Sequence, residues 1–378
     1  MPASAKAPPR TSFPRRWLRF SLRTLLVMVT AIGVVLAVWV VPAERQRRRV
    51  AAIEASGGGG IRYNFQVAET GEPSPRWLHE LLGVDYLAQP VEAWASGKAA
   101  NEILVDIGGL TSLQQLHVSG AALSDEGLAQ LSALVNLRSL LLARTQVSDA
   151  GIDSINRLPS LEVLCLDGTR VTDAGLAKLR RLPNLSTLSA EYTDVGDETL
   201  RILGGSQTLR ELHLGRTRVT DEGLQRPDGV ASLTVLDLTG TQVSDVGIAR
   251  LGGLTGLTWL TLTGTGVTDA GLTHLGGLTR LASLSLDDTQ VRGDGLEHLS
   301  RLTSLRRLDL GDIQLSEAGV SSLRRMSNLR TLILTDTKVS AAAREELRAS
   351  LPNCYLAVLT GNRDEIPRSA APAGEPAP

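Results

Sequence analysis

Residues 161–184 read LEVLCLDGTRVTDAGLAKLRRLPN, and residues 185–208 continue with LSTLSAEYTDVGDETLRILGGSQT. The two segments align without a gap, and the same columns return every 24 residues between about residues 110 and 347. One column is threonine in eight of ten units: Thr145, Thr169, Thr193, Thr217, Thr241, Thr265, Thr289 and Thr337. A fixed period over ten units predicts that each unit is one structural repeat that stacks on its neighbours.

The repeat unit reads L-x-x-L-x-L-x-x-T-x-V-[ST]-D-x-G-L-x-x-L-x-x-L-x-x. The alternating L-x-L predicts a short strand with its leucines facing inward, and stacking predicts that these strands form a parallel sheet. The segment G-L-x-x-L-x-x-L has helical spacing, which predicts short helices on the opposite side. Ser or Thr followed by Asp predicts a helix N-cap with an acid in the first turn. We expect the threonine hydroxyl to bond backbone groups in the turn after each strand.

Composition follows from the repeat, since 65 of the 378 residues are leucine and only 3% are aromatic. So few aromatic side chains argue against a surface that stacks nucleic-acid bases. The net charge of −1 conceals a split: residues 1–50 have a net charge of +9, and residues 51–378 have a net charge of −10. An acidic body argues against a nucleic-acid partner. Two cysteines are too few for a disulfide framework or a four-cysteine zinc site.

An uncharged apolar run, TLLVMVTAIGVVLAVWVV, occupies residues 24–41. As a helix it would be about 27 Å long, close to the thickness of a bilayer core. Three interpretations compete: a buried core helix, a cleaved signal peptide and an uncleaved membrane anchor. The run has no polar face and no clear A-x-A cleavage site, which favours the anchor. Six basic residues precede the run and four follow it, which favours an N-terminus in the cytoplasm and the repeats outside it.

The L-x-x-L-x-L-x-x-T unit resembles a leucine-rich repeat, and its V-[ST]-D-x-G-L half is similar to the cysteine-containing and GALA-type subfamilies. With the basic arm and the single apolar run, the chain resembles the membrane-anchored repeat proteins of planctomycete-type bacteria. The resemblance implies an α/β solenoid, a horseshoe with a parallel β-sheet on its concave face and short helices on its convex face. The predicted transmembrane helix precedes this solenoid. The usual asparagine or cysteine of the turn is threonine here.

The sequence divides into seven predicted segments. They are a basic cytoplasmic arm (1–23), a transmembrane helix (24–41), a stalk with a flexible glycine run (42–75), an N-terminal cap with a degenerate repeat (76–109), ten repeats (110–347), a C-terminal cap (348–361) and a disordered tail (362–378). Trp94 lies near the strand position 24 residues before Val118. Towards the C-terminal end of the solenoid, the sequence predicts a helix over residues 340–351 and a last strand over residues 354–359.

Leucine-rich repeat proteins usually bind partners on the concave face, which the outward strand residues form. Here those residues are rich in hydroxyls and mildly acidic, with one large aromatic. The residues predicted to contact a ligand are Trp259, Asp237, Glu211, His213, Ser283, Ser285 and Asp287. Trp259 suggests a binding anchor, and the alternative is that its ring only covers aliphatic stems. The positions of His213, Glu211 and Asp237 suggest a metal or acid–base site. We expect instead a solvated polar surface without a metal.

No P-loop, G-x-S-x-G, H-E-x-x-H or EF-hand motif occurs in the sequence. We therefore expect a non-catalytic protein without cofactors that is displayed at a membrane and binds a protein or glycan partner. One alternative is an intracellular adaptor of the F-box-associated or GALA effector type, which selects substrates through similar repeats. Another is an enzyme that uses the repeats as a targeting arm, although no room remains for a catalytic domain. Two departures interrupt the pattern: Pro227 replaces a helical leucine, and Thr199 replaces the repeated glycine.

Overall fold

A computed structural model describes residues 22–67, 88–97, 100–120, 123–203, 206–225 and 231–358. Within these residues, one sheet contains thirteen strands in chain order. The strands are β1 Gly59–Tyr63, β2 Pro90–Ser96, β3 Gln115–Ser119, β4 Ser139–Leu141, β5 Val163–Cys165, β6 Thr187–Ser189, β7 Glu211–His213, β8 Val235–Asp237, β9 Trp259–Thr261, β10 Ser283–Ser285, β11 Arg307–Asp309, β12 Thr331–Ile333 and β13 Tyr355–Ala357. The pair β1–β2 is antiparallel, and the later pairs are parallel. The predicted solenoid with a parallel sheet is therefore confirmed.

The central leucine of each repeat strand faces the core and lies beside the same leucine of the next strand. Leu188, Leu212 and Leu236 are partners in adjacent strands, and all three are fully buried. Burying one leucine side chain contributes about 1.5–3 kcal/mol. Because no single repeat encloses its own leucines, this stabilisation depends on the neighbouring repeats.

Helical segments occupy the side opposite the sheet, as the spacing predicted. The α-helices are α1 Leu22–Val35, α2 Val41–Ala55, α3 Asn64–Val67, α4 Ala100–Ile107, α5 Asp125–Leu128, α6 Ile152–Ile155, α7 Asp173–Leu176, α8 Asp197–Leu203, α9 Asp245–Leu251, α10 Asp269–Leu272, α11 Glu317–Arg324 and α12 Ala341–Ser350. Leu36–Val40 is a π-helical turn, and 3₁₀-helices cover Ala129–Ala133, Ala177–Arg181, Gly223–Gln225, Leu275–Gly277 and Asp294–Arg301. Thr172, Ser244 and Thr268 act as N-caps, each accepting a backbone N–H bond two residues ahead.

The threonine column lies in the turn that follows each strand. The hydroxyl of Thr169 donates to the carbonyl of Leu166 at 2.5 Å, and the same bond recurs from Thr145 to Thr289. Thr337 differs, because its hydroxyl donates at 2.8 Å to Leu310 of the preceding repeat. The residue before the threonine is left-handed, which suits Gly168 and strains Tyr192, whose φ is 54°.

The aspartate column connects successive repeats, a role that the sequence pattern did not predict. The Asp149 carboxylate accepts hydrogen bonds from the Thr172 backbone N–H at 2.8 Å and from its hydroxyl at 2.7 Å. The same pair of bonds joins Asp125 to Ser148, Asp197 to Thr220, Asp221 to Ser244 and Asp245 to Thr268. We call this set the aspartate ladder. A Cβ on Gly175 would lie 2.3 Å from the Asp149 carboxylate, so the glycine column makes room for the ladder.

The departure at Thr199 is a compensated exchange within the aspartate ladder. In this repeat Gly196 stands at the position that is Ser or Thr in most of the other repeats, so no hydroxyl is available there. The Thr199 hydroxyl donates to Asp173 instead, and the backbone N–H groups of Gly196 and Thr199 donate to the same carboxylate oxygen. The ladder is therefore continuous through the irregular repeat. The other departure, Pro227, lies outside the described residues.

The segment predicted as a stalk differs most from expectation. α1, the π turn and α2 form one uninterrupted helical segment over residues 22–55. Val50 and Ile53 are buried against the N-terminal cap, and Arg49 donates to the Gly109 carbonyl at 2.6 Å. Within residues 42–63 the stalk prediction is therefore corrected, because α2 carries apolar side chains that the cap encloses.

The glycine run was expected to be flexible, but its last two residues begin β1. A Cβ on Gly60 would lie 2.3 Å from the Trp94 ring, so glycine permits β1 to pack closely against β2. β1 pairs antiparallel with β2 and covers the edge of the sheet. At the other end, Ser340 caps α12 and β13 is the last strand. The described residues do not include residues 1–21 of the expected basic arm, the part of the expected stalk after residue 67, or the expected tail.

Candidate binding face on the parallel sheet

The first and third residues of each three-residue repeat strand point away from the core and form what we call the open face. In β5 to β9 these residues are partly exposed, while the central leucine is buried. Most of the predicted contact residues lie in these strands or in β10, and Asp287 follows β10. The open face is therefore the surface that the sequence predicted for binding.

Trp259 lies between Val235 of β8 and Ser283 of β10. Its ring is half-buried, and the indole N–H donates to the hydroxyl of Thr261 at 3.0 Å. The ring therefore follows its own strand instead of standing away from the sheet. Because the side chain is only partly buried, the geometry accommodates both the anchor and the covering role.

Two of the predicted contact residues have little accessible surface. Ser283 and Asp287 are only 7% and 5% exposed. A Cβ on Gly311 would lie 2.3 Å from an Asp287 carboxylate oxygen, so Asp287 extends over that glycine. Ser285 is partly exposed, and its hydroxyl is 2.9 Å from that of Thr263. Of these three, Ser285 offers a partner the most direct hydrogen-bonding group.

The structure brings His213 and Asp237 together with Glu191, and not with Glu211 as the sequence suggested. His213 and Asp237 are partners in β7 and β8, and Glu191 follows β6. A carboxylate oxygen of each acid and a ring nitrogen of His213 all lie within 4.8 Å of one another. Glu211 instead accepts a hydrogen bond from the Thr187 hydroxyl at 3.2 Å.

Gly215 explains why Glu191 reaches this group. It occupies the position in the β7 repeat that corresponds to Glu191, so no side chain separates Glu191 from the next repeat. A Cβ on Gly215 would lie 3.4 Å from both Glu191 Cδ and Thr239 Cβ. Glu191 is not among the contact residues that the sequence predicted. A glycine in the next repeat, beside an acid, is the signal that could have identified it.

Burial, followed by the charges of Asp237 and Asp167, raises the pKa of Glu191 to about 7. Arg216 partly opposes this increase in the pKa of Glu191, and its guanidinium lies over the Tyr192 ring, 5.4 Å from the centroid. Asp167 is held by the Ser189 hydroxyl at 2.5 Å and by the Glu191 backbone N–H at 2.9 Å. Three carboxyl groups and one imidazole thus share a partly buried region of the open face.

Cys165 does not form a nucleophile–base pair with His117. Burial raises the pKa of the Cys165 thiol to about 12, so it stays protonated at neutral pH. Its Sγ donates to Asp167 at 3.2 Å, and the β4 strand separates it from His117. Burial likewise raises the pKa of Cys354 to about 11. Neither cysteine therefore has the thiolate character of a catalytic nucleophile.

Trp94 is a second open-face aromatic that sequence reasoning assigned only to the cap. It pairs with His117, which pairs with Leu141, and it is 39% exposed. The spacing from β2 to β3 is 23 residues and not 24, so Ala93 and Ala95 face the core and Trp94 faces outward. A one-residue shift in a strand moves a side chain to the opposite face.

Comparison with known proteins supports the fold. The family profile described as "Leucine Rich repeat" matches residues 109–132, 205–226 and 231–252. A crystal structure of an internalin from Listeria monocytogenes aligns with a TM-score of 0.51 at 19% identity, over 76% of this chain and 89% of that one. Three segments of the chain match the leucine-rich repeat profile, and the chain has the fold of a leucine-rich repeat solenoid. At 19% identity the structural likeness shows the fold and nothing about partners.

Other bacterial structures are similar to this chain at lower TM-scores. A Listeria monocytogenes internalin C2 aligns with a TM-score of 0.43 at 27% identity, over 56% of this chain and 84% of that one. A Leptospira interrogans LRR protein aligns with a TM-score of 0.43 at 19% identity, over 67% and 74% of the two chains. A search of curated proteins finds no match to the sequence.

Proposed function

We propose that this leucine-rich repeat protein is anchored in a membrane and binds a protein or glycan partner on its open face, without catalysis. The observation that carries the proposal is the contrast between the columns of the repeat. The core-facing position is leucine in strand after strand, while the next residue is Cys165, Ser189, His213 and Asp237 in four consecutive strands. A surface that varies on a constant scaffold is typical of recognition.

The apolar helix supports anchoring. A single candidate spanning helix in the described residues covers 23–55, and none of its most apolar stretch is buried. A core helix would be buried in the protein, so the exposed apolar surface favours a lipid environment. α1 also continues into α2, whose Val50 and Ile53 are buried against the cap, and this favours an uncleaved anchor over a signal peptide.

Alkaline extraction and a C-terminal reporter fusion test the membrane anchor and its orientation. We expect the full chain to remain in the membrane pellet after alkaline extraction and to dissolve only in detergent. A C-terminal reporter that is active only outside the cytoplasm should be active, because the excess of basic residues before the apolar run favours an N-terminus inside. An inactive fusion would reverse the orientation, and recovery in the soluble cytosol would favour the adaptor alternative.

Photo-crosslinking tests the binding face. A photoreactive amino acid at Ser285 lies on the open face, and one at Val246, which is 58% exposed in α9, lies on the helical side. In cells that express the full chain, we expect a discrete crosslinked adduct from position 285 and none from position 246. Adducts of the same size and yield from both positions would refute the open face as the binding surface.

A further inference from the structure

We propose that Glu191, His213 and Asp237 bind a divalent transition-metal ion on the open face. Their candidate ligand atoms, two carboxylate oxygens and one imidazole nitrogen, all lie within 4.8 Å of one another. Ligands about 2.1 Å from a zinc ion lie about 3–4 Å apart, so small side-chain rotations would close the group around an ion. This inference goes beyond the proposed function, because metal binding requires no partner.

The register of three adjacent strands builds the group. β7 places His213 beside Asp237 of β8, and Glu191 follows β6 two residues after Ser189, the β6 partner of His213. Gly215 leaves the space into which Glu191 extends. The Thr239 backbone N–H donates to Asp237 Oδ1 at 2.8 Å, which orients the carboxylate and leaves Oδ2 for an ion. Such a supporting bond is typical of metal ligands.

The charges around the group favour a cation. Across the part of the chain that the structure describes, no side-chain hydrogen bond or salt bridge engages the Glu191 carboxylate or the His213 ring. Asp237 and Asp167 add negative charge beside Glu191, and Arg216 offsets it only in part. Half-buried like charges without a compensating cation are unfavourable, and a divalent ion between Glu191 and Asp237 would remove that repulsion.

The ligand types indicate which ions fit. One imidazole nitrogen with two carboxylate oxygens suits zinc and neighbouring first-row ions, whereas calcium and magnesium prefer oxygen ligands alone. Three protein ligands leave at least one coordination position open to water or to a group from a partner. The outward residues of β6, β7 and β8 are partly exposed, so a macromolecular partner could reach that position.

Metal titration of the full chain tests the proposal. The protein is purified in detergent without a polyhistidine tag, stripped with chelator and titrated with Zn²⁺ against a chromophoric competitor. We expect one ion per chain, and His213→Ala should weaken its affinity by at least about 10–100-fold, the loss that even a supporting residue of a metal site causes. Glu191→Gln and Asp237→Asn, which keep side-chain size, should also weaken it.

Three variants serve as matched controls. His117→Ala removes a histidine from the same face, Glu211→Gln neutralises an acid of β7 outside the group, and Cys165→Ser removes the nearest cysteine. All three should bind Zn²⁺ like the unaltered chain. Equal affinity of His213→Ala and His117→Ala, no stoichiometric binding at all, or loss of binding in Cys165→Ser would overturn the proposal. The crosslinking experiment would be unaffected by these outcomes, so the metal site and the binding face fail separately.

Discussion

The core columns and the open face of the same strands follow opposite rules. Leu188, Leu212 and Leu236 are identical, buried and in register, while their neighbours Ser189, His213 and Asp237 differ in charge and in hydrogen-bonding groups. The core must be uniform because each repeat is enclosed by copies of itself. The open face has no such requirement. The comparison teaches that the stabilising core contacts repeat along the chain, whereas the recognition that we propose would depend on residues of particular strands.

The largest loss of stability should come from removing the part of the core that precedes the repeats in the chain. A chain that lacks residues 1–75 loses Val50, Ile53 and Ile61, each of which contributes about 1.5–3 kcal/mol on burial. We expect this chain to aggregate or to unfold at much lower denaturant. A chain that lacks only residues 1–40 should retain the unfolding midpoint of the full chain. Equal midpoints for both truncations would show that α2 and β1 are a stalk after all.

A leucine of the core column should be the most sensitive single position. Leu212→Ala leaves a cavity between Leu188 and Leu236 and should lower the free energy of unfolding by about 2–5 kcal/mol. Denaturant unfolding followed by circular dichroism measures the loss. Thr187→Ala, on the open face of the neighbouring strand, is the control and should change stability by less than about 1 kcal/mol. Similar losses of stability in the two variants would contradict the distinction between the core column and the open face.

The aspartate ladder predicts a smaller loss of stability, which a second substitution reverses. Thr199→Gly removes the hydroxyl that bonds Asp173 and should cost about 1–3 kcal/mol, because a partly buried carboxylate loses a donor. Adding Gly196→Ser restores the usual residues at both positions, and Gly196 has room, since its Cβ would lie 3.4 Å from Asp173. We expect the double variant to regain most of the stability. A double variant that is less stable than Thr199→Gly would contradict the compensated exchange between positions 196 and 199.

The smallest effect on stability should come from the open face itself. His213→Ala and Glu211→Gln should each change the free energy of unfolding by no more than about 0.5 kcal/mol, the usual range for surface positions. Thermal or denaturant unfolding without added metal measures both. A loss of several kcal/mol in either would mean that these side chains stabilise the repeats and are not free for recognition.

The repeat period was enough to predict the strands, their parallel order and the helical side, because those features depend on spacing within one unit. It did not predict the bond from Asp149 to Thr172, since that contact joins two repeats and the Asp–Ser/Thr pattern already had a local explanation as a cap. Trp94 was placed one residue out of register because paired residues of β2 and β3 are 23 positions apart and not 24. Glu191 was passed over because its position depends on a missing side chain at Gly215.

The central claim is that recognition resides on the open face, and crosslinking in the Trp259→Ala chain tests it most directly. A photoreactive amino acid at Ser285 lies one strand from Trp259 on the same face. In cells, the yield of the adduct from position 285 should fall severalfold in Trp259→Ala, while the denaturant midpoint moves by less than that of Leu212→Ala. An adduct of unchanged yield in Trp259→Ala, or one that forms equally from Val246 on the helical side, would contradict the account.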